Sequence, residues 1–246
     1  MNAEDQSPCK VLEWDTNFFG IRVAKVFASS LNPELVRRID NWCHLNQVAC
    51  LYFLACADDA LTSRTAEDNG FRLVDVKITL KYENHAAIAN TDRYDLTDCY
   101  VRQACPADIP LLQEMTRNSY HHSRFYFDEN FPRALCDSFY ETWIKVSCEG
   151  YASTVLVAEN NKLPVGFISC HLDSSSGSIG LVGVNKTFRG RSIGKILLYS
   201  ALHWFLSKGV QDITVSTQGR NIVAQRFYQR FGFLTSTLEL WYHKWY

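Results

Sequence analysis

From Val182 to Phe233 the order of residues leaves the backbone few choices. The apolar run Ile179 to Val184 reads as a strand. A turn of small and basic residues follows it directly: Phe188, Arg189, Gly190, Arg191, Ser192, Ile193, Gly194 and Lys195. Ile193, Leu197, Leu198, Ala201, Leu202 and Phe205 then recur at three- and four-residue steps, predicting a helix that Gly209 ends. Asp212 to Thr217 alternates Ile213 and Val215 with polar residues, as a half-buried strand does. Asn221 opens a last helix carrying Ala224, Phe227, Tyr228 and Phe231, closed by Gly232 and Phe233. Free N–H groups at a helix start carry partial positive charge, so the small turn lets a diphosphate approach, with Arg189, Arg191 and Lys195 adding full charges beside it. Singly, each piece has an ordinary explanation: a Gly/Arg loop, an Asn cap, a Tyr filling a helix face.

Jointly, Asn221, Ala224, Tyr228, Gly232 and Phe233 downstream of the Arg189–Gly190 turn resemble the GNAT N-acetyltransferase family. The resemblance implies that the strand before the turn carries a bulge and splays from its neighbour, so that backbone groups of Val182 and Val184 pair with the pantetheine arm of acetyl-CoA. It further implies that the amides from Phe188 through Gly194 cradle the diphosphate, that Asn221 bonds the pantetheine and that Tyr228 sits near the sulfur. Ser192 departs from the family, which usually has Gly there. A serine restricts backbone approach, although its hydroxyl could itself contact a phosphate.

A narrower likeness spans most of the chain. Leu12 to Gly20 with Trp14, Asn17, Phe18 and Phe19, then Ser123, Arg124 and Phe125 with Tyr140 and Trp143 behind them, then Thr217 and Gln218, look like the TDP-fucosamine acetyltransferases of that family. That likeness implies a bacterial enzyme moving acetyl from acetyl-CoA to the amine of dTDP-4-amino-4,6-dideoxy-D-galactose in surface-polysaccharide synthesis. The same aromatic fragments suit simple packing in an N-terminal lobe equally well.

The chain of 246 residues, 47% of them hydrophobic, can bury a core large enough for two lobes. Net charge near −1 argues against a nucleic-acid surface. No apolar run reaches membrane-spanning length, and the polar, acidic start is unlike a signal peptide. Nine scattered cysteines without Cys-x-x-Cys pairs read as free thiols in a reducing cytoplasm, with no zinc site and no metal expected.

The expected class is α/β (α+β): a mixed, mostly antiparallel sheet flanked by helices in residues 98–246, preceded by a smaller α/β lobe in residues 1–97. In that first lobe Ile21 to Phe27, Cys50 to Ala57 and Leu73 to Tyr82 read as strands, with helices from Pro33 to Gln47 and Leu61 to Asn69. The helix, Gly70–Phe71, strand order echoes Gly232–Phe233 before Leu234 to Tyr242, hinting at an internal duplication that lost the cofactor turn. Glu83 to Asp98 reads as a linker. Asp108 is expected to cap a helix to Ser119, and His121 to Asp128 to form a polar and aromatic loop before a helix with Leu135, Phe139, Trp143 and Ile144. Val155 to Glu159 and Val165 to His171 read as a hairpin. The tail residues Trp241, Tyr242, Trp245 and Tyr246 could cover a second copy of the chain as easily as their own core.

Acetyl transfer needs a neutral amine, a donor for the developing oxyanion and a proton for the departing thiolate. Backbone N–H groups of Val182 to Val184 suit the second need, and Tyr228, neutral at pH 7, suits the third. For the base, His121, His122, Asp128, Glu129 or a water held by backbone carbonyls all remain open. Arg124 is expected at the acceptor's diphosphate and Phe125 or Tyr126 on its thymine, with His121 alongside. Three readings compete: a nucleotide-sugar N-acetyltransferase, an acetyltransferase of a peptide or small amine, and a non-catalytic acyl-CoA-binding module. The last is disfavoured because Asn221 and Tyr228 are both present.

Overall fold

Two stretches of this chain alternate strand and helix in the same order, and each gives up its last strand to the other. A computed structural model describes residues 7–83, 99–117 and 119–246. The linker expected at 83–98 and the boundary near residue 97 lie almost wholly outside the described residues. The first stretch holds β1 (Cys9–Val11), α1 (Glu13–Phe19), β2 (Val23–Val26), α2 (Pro33–Leu45), β3 (Cys50–Cys56), α3 (Ala60–Asp68) and β4 (Arg72–Tyr82). The second holds β5 (Cys99–Gln103), α4 (Ile109–Thr116), α5 (Arg124–Phe127), α6 (Arg133–Val146), β6 (Thr154–Asn160), β7 (Leu163–Asp173), β8 (Ser176–Val184), α7 (Ile193–Ser207), β9 (Asp212–Gln218), α8 (Ile222–Arg230) and β10 (Phe233–Trp245).

All strands join one ten-stranded sheet in the order β1-β2-β3-β10-β4-β9-β8-β7-β6-β5. Only two pairs are parallel, β2 with β3 and β8 with β9, and each is linked through one helix, α2 or α7. β10 lies between β3 and β4, while β4 lies between β10 and β9, so the final strand of each stretch pairs with the middle strand of the other. Sequence boundary and spatial boundary therefore differ: the first lobe is completed by residues 233–245.

Helix α7 carries the expected stripe, with Leu197, Leu198, Ala201, Leu202 and Phe205 buried against one face of the sheet. Each such large side chain removed from water contributes about 1.5–3 kcal/mol. Helix α2 starts on an Asn32 side chain that accepts the Leu35 N–H at 2.8 Å, with Pro33 in its first turn. Its inner face is Val36, Ile39 and Cys43. Leu45, at the end of the helix, points to solvent. The β6–β7 hairpin turns through Asn161 at φ 48° and Lys162 at φ 64°, the two left-handed residues that match the twist of paired strands.

Three expectations change, and one element is new. Asp108 does not cap α4: its buried carboxylate accepts both Arg102 Nη1 at 2.7 Å and Nη2 at 2.8 Å and the Cys105 N–H at 2.8 Å, because a forked guanidinium one strand away offers two charge-assisted bonds. The stretch expected as a polar loop contains the helical turn α5, whose Phe125 ring packs on Phe19, Phe131 and Phe139 at 5.2, 5.3 and 4.6 Å. Within residues 12–20, Glu13–Phe19 form α1, ended by Gly20 at φ 68°. Most of the aromatic tail is spent internally, with Tyr242 in the core, Trp241 and Trp245 packed on a second buried cluster, and the exposed Tyr246 bonded through its hydroxyl to Asp40, so it carries no argument for a dimer. All nine cysteines are free thiols. Among the described residues no helix is long and apolar enough to cross a membrane, and none of the His, Cys, Asp and Glu side chains group as a metal site.

Candidate active site

Where β8 and β9 run side by side they pair over only four positions, Ser176 to Ile179 against Asp212 to Val215. Beyond Ile179 the two strands diverge. On its other edge β8 stays with β7, and a one-residue slip between Ile168/Val182 and Cys170/Ile179 makes a bulge. The direction of the backbone groups follows from two bonds. Leu181 N–H reaches Ser169 Oγ at 2.8 Å and Asn185 N–H reaches the Val165 carbonyl at 2.9 Å, both toward β7. Alternation along a strand then turns the N–H and C=O of Val182 and Val184 the other way, into the space β9 has left. Both residues expected to face the pantetheine do face that gap.

The gap ends at the turn before α7. Asn185 Oδ1 accepts the Thr187 N–H at 3.0 Å and starts a short turn over Lys186–Phe188, after which Gly190 at φ 77° and Ser192 at φ 62° bend the chain into the helix. Left-handed backbone costs a non-glycine residue about 1 kcal/mol, which explains physically why glycine is usual where Ser192 stands. The first α7 bond runs from Ile196 N–H to the Ser192 carbonyl at 3.1 Å, and Ser192 makes no side-chain cap. The amides of Ile193, Gly194 and Lys195 therefore have no carbonyl behind them in the helix. Phe188 and Ile193 pack into the core and contribute backbone only, while Arg189 and Arg191 are exposed beside the amides. A diphosphate fits this donor set in charge and shape.

Asn221 uses Oδ1 to accept the Ala224 N–H at 3.2 Å, so it is a helix cap first; its Nδ2 is not used by that bond. Tyr228 is buried among Phe227 and Phe233, and burial raises its phenol well above the ordinary value, keeping it protonated at neutral pH. A second phenol that the sequence did not single out stands nearby. Tyr120 donates its O–H to the Val182 carbonyl at 3.1 Å and stacks on Tyr140 at 4.3 Å and 15°. Burial, then Tyr140 and Tyr228, push the Tyr120 pKa up.

On the other side of Tyr140 lies a cavity of about 600 Å³. Its walls come from both stretches: Trp14 and Asp15 of α1, Asp75 and Lys77 of β4, Arg124 of α5, Phe139, Tyr140 and Trp143 of α6, Ser216 to Gln218 of β9 and Trp241 of β10. The Arg124 guanidinium lies 4.3 Å from the Trp241 ring, 4.4 Å from Phe125 and 4.7 Å from Tyr52. Arg124 Nε and Trp143 Nε1 are buried without a hydrogen-bond partner among the described residues. Buried donors are normally satisfied, so both point to a ligand in this cavity. Lys25 approaches the Trp241 ring at 5.3 Å; burial, and then Lys77 and Arg124, lower its pKa. Lys77 and Arg124 thus line the cavity with Lys25 close behind, and Lys77 is paired with Glu239 at 2.7 Å. Two further carboxylates lie on the wall itself. Burial raises Asp15 despite Arg124, and burial raises Asp75 to about 6 despite Arg220 at 3.4 Å.

The expected acceptor residues divide. Arg124 and Phe125 line the cavity, Phe125 as the floor beneath the guanidinium. Tyr126 does not: it is buried with its hydroxyl on Asp137, and the exposed His121 lies edge-on to its ring at 5.0 Å, outside the cavity wall. Asp128 is no candidate base. Although burial opposes it, bonds from His243 Nδ1 at 2.7 Å and Trp245 Nε1 at 2.9 Å hold its carboxyl at about 2. His122 and Glu129 are exposed and lie outside the cavity wall. The residues sequence reasoning missed here are Asp75, Lys77, Trp241 and Tyr120. A signal existed for the first, because a carboxylate inside an otherwise β-forming run is rare without a function or a partner.

Residues 115–233 match the Acetyltransferase (GNAT) family. A dTDP-fucosamine acetyltransferase from Escherichia coli O6:H1 is 25% identical over 238 residues, covering 95% of this chain and 96% of that protein. The spore coat polysaccharide biosynthesis protein SpsD of Bacillus subtilis is 26% identical over 140 residues, 57% of this chain, and the match spans only 48% of that longer protein. Among solved structures, a tandem GNAT protein from the clavulanic acid biosynthesis pathway superposes with a TM-score of 0.65 at 13% identity, over 92% of this chain and 76% of that one.

Proposed function

The chain carries a GNAT acetyltransferase domain, the framework of an acetyl-CoA-dependent N-acetyltransferase, and from that premise we propose that it acetylates the amine of a nucleotide-linked amino sugar. The acceptor of this reading is dTDP-4-amino-4,6-dideoxy-D-galactose or a close relative, made in the cytoplasm for a surface polysaccharide. One observation carries it: a cavity of about 600 Å³, lined by Tyr140 and by Ser216 to Gln218 of β9, sets the Arg124 guanidinium, its Nε without a partner among the described residues, beside the indoles of Trp14, Trp143 and Trp241. Diphosphate and base ask for those two kinds of surface together. The length match to the dTDP-fucosamine acetyltransferase agrees with this reading, since it includes the α1 and β4 walls.

Acetyl-CoA supplies the activated acetyl group when bound. The amides of Phe188 to Gly194 hold its diphosphate, the Val184 N–H holds the pantetheine arm with help from Asn221 Nδ2, and the Val182 N–H donates to the thioester oxygen as charge develops. Tyr228 gives its proton to the departing sulfur. Asp75, raised to about 6 by burial, is poised to take the proton of the attacking amine near neutral pH. Phe125 stays beneath Arg124, and stacking on the base passes to the exposed indoles, Trp14 first at 41% exposure.

A second reading is an acetyltransferase of a small free amine. The Asp15 and Asp75 carboxylates on the cavity wall favour it, because an ammonium is the charge they would attract. Thiol release from acetyl-CoA separates the two. The nucleotide-sugar reading predicts fast release with dTDP-amino sugars and slow release with peptides and polyamines; release only with the latter would contradict it, and binding without release would leave an acyl-CoA-binding module.

A further inference from the structure

Strand β8 is least supported where its backbone direction matters most. The β7–β8 register slips between Ile168/Val182 and Cys170/Ile179, and β9 has already left at Ile179. The peptides of residues 180–182 therefore have a broken ladder on one edge and none on the other. Two side chains take the ladder's place. Ser169 Oγ accepts the Leu181 N–H at 2.8 Å from the β7 side, and Tyr120 donates its O–H to the Val182 carbonyl at 3.1 Å from the gap side. Gly180 makes room for the first, because a Cβ there would stand 2.6 Å from Ser169 Oγ and 2.7 Å from His171 Nε2. Tyr120 cannot swing easily: its ring lies flat on Tyr140 at 4.3 Å. The carbonyl of Val184, next on the same edge, is likewise taken by Arg189 Nε at 3.3 Å. The edge facing the gap thus keeps its carbonyls occupied and presents N–H groups.

Resting on the transferase reading above, we propose that Tyr120 is a positioning residue for acetyl transfer. By holding the Val182 carbonyl, with Ser169 holding Leu181 opposite, it keeps the Val182 N–H aimed at the thioester carbonyl. A donor that must sit within a fraction of an ångström of a developing oxyanion needs such bracing. A phenol supplies it well, because a ring on two rotatable bonds loses little freedom when stacked.

Tyr120→Phe keeps the ring, the stack and nearly the whole volume while deleting one hydroxyl. Acetyl-CoA carrying ¹³C at the thioester carbonyl, bound to wild type and variant, reports the donor through its isotope-edited infrared band. The wild-type band falls below its solution frequency, and in Tyr120→Phe it returns at least halfway. Turnover drops about tenfold with the KM for acetyl-CoA within about twofold, the pattern of a donor misaimed in the transition state. Ser169→Ala moves the band the same way and serves if Tyr120→Phe does not fold. Identical bands in wild type and both variants overturn the proposal, even where stability falls. A wild-type band at the solution frequency also overturns it while leaving the transferase reading intact, whereas failure of the folded wild type to bind acetyl-CoA removes both.

Discussion

The stretches β2-α2-β3-α3-β4 and β8-α7-β9-α8-β10 have the same order, one parallel pair each and a last strand lent to the other, yet only one ends its parallel pair in an open donor edge. In the first, the turn before α2 is closed internally. Asn32 caps the helix, Pro33 removes a donor from its first turn, and the buried Leu31 N–H is taken by Thr62 Oγ1 of α3 at 2.9 Å. Asp59 in turn holds Thr62, accepting its N–H at 2.9 Å and its hydroxyl at 2.6 Å. In the second, two left-handed residues open the helix without a side-chain cap, and two arginines stand beside it. The two stretches share their order of elements and differ in how their helix starts are capped. A capped helix start has its donors spent, whereas an uncapped one flanked by cations is the start at which the proposed reading seats an anion.

The contrast can be broken most forcefully at Tyr228. Tyr228→Phe should lower turnover by about 10²-fold or more while leaving acetyl-CoA affinity within a few-fold, in steady-state kinetics with calorimetric binding alongside. Unchanged turnover with chemistry rate-limiting would remove the phenol from the mechanism.

The exchanged strand offers a test of stability. His243 of β10 is buried under Phe131 and Tyr52, and burial lowers its pKa to about 4 from the ordinary 6.5. The unfolded chain therefore binds a proton that the folded chain refuses. Stability should fall once the pH drops below about 6.5 and keep falling to about 4, by roughly 3 kcal/mol from this group. Asp128, held at about 2, stays charged in the folded chain throughout that window, and its contribution is lost as the pH falls further, from the ordinary value of 3.8 through about 2. Urea midpoints at pH 7 and pH 4.5 check the sign, and a flat profile between them would mean that β10 is not sealed around His243.

Much of the second stretch was legible because its signals are local. Helical periodicity in α7, alternation in β9 and the Gly190 turn each occupy neighbouring residues, and their joint spacing carried the family resemblance. The strands and helices of the first stretch were legible for the same reason. The cavity lined by Arg124 was not. Trp14, Asp75, Arg124, Thr217 and Trp241 meet only because β4 and β10 are exchanged, and no local pattern encodes that register. Residues 121–128 were misread because polarity dominates their composition, while the packing of Phe125 and Tyr126 on distant rings decides their conformation. Asp128 looked like a base for want of its partners, which arrive 115 and 117 residues later.

Smaller effects sharpen the picture. Arg124→Ala should raise the acceptor KM about tenfold or more, leave acetyl-CoA affinity alone and lower affinity for dTDP itself, as measured by competition. In the capped stretch, Asn32→Ala should cost ~1 kcal/mol of stability with no change in coenzyme binding. Ser192→Gly should raise stability by up to ~1 kcal/mol by relieving the left-handed serine, with coenzyme affinity retained or improved, in thermal melts with and without acetyl-CoA.

Isothermal titration of the folded wild-type chain with acetyl-CoA tests the asymmetry most directly. One saturable site per chain is predicted, abolished by reversing charge at Arg189 and Arg191 and untouched by substitutions at Asn32 and Thr62. Two sites per chain, or none, would contradict it.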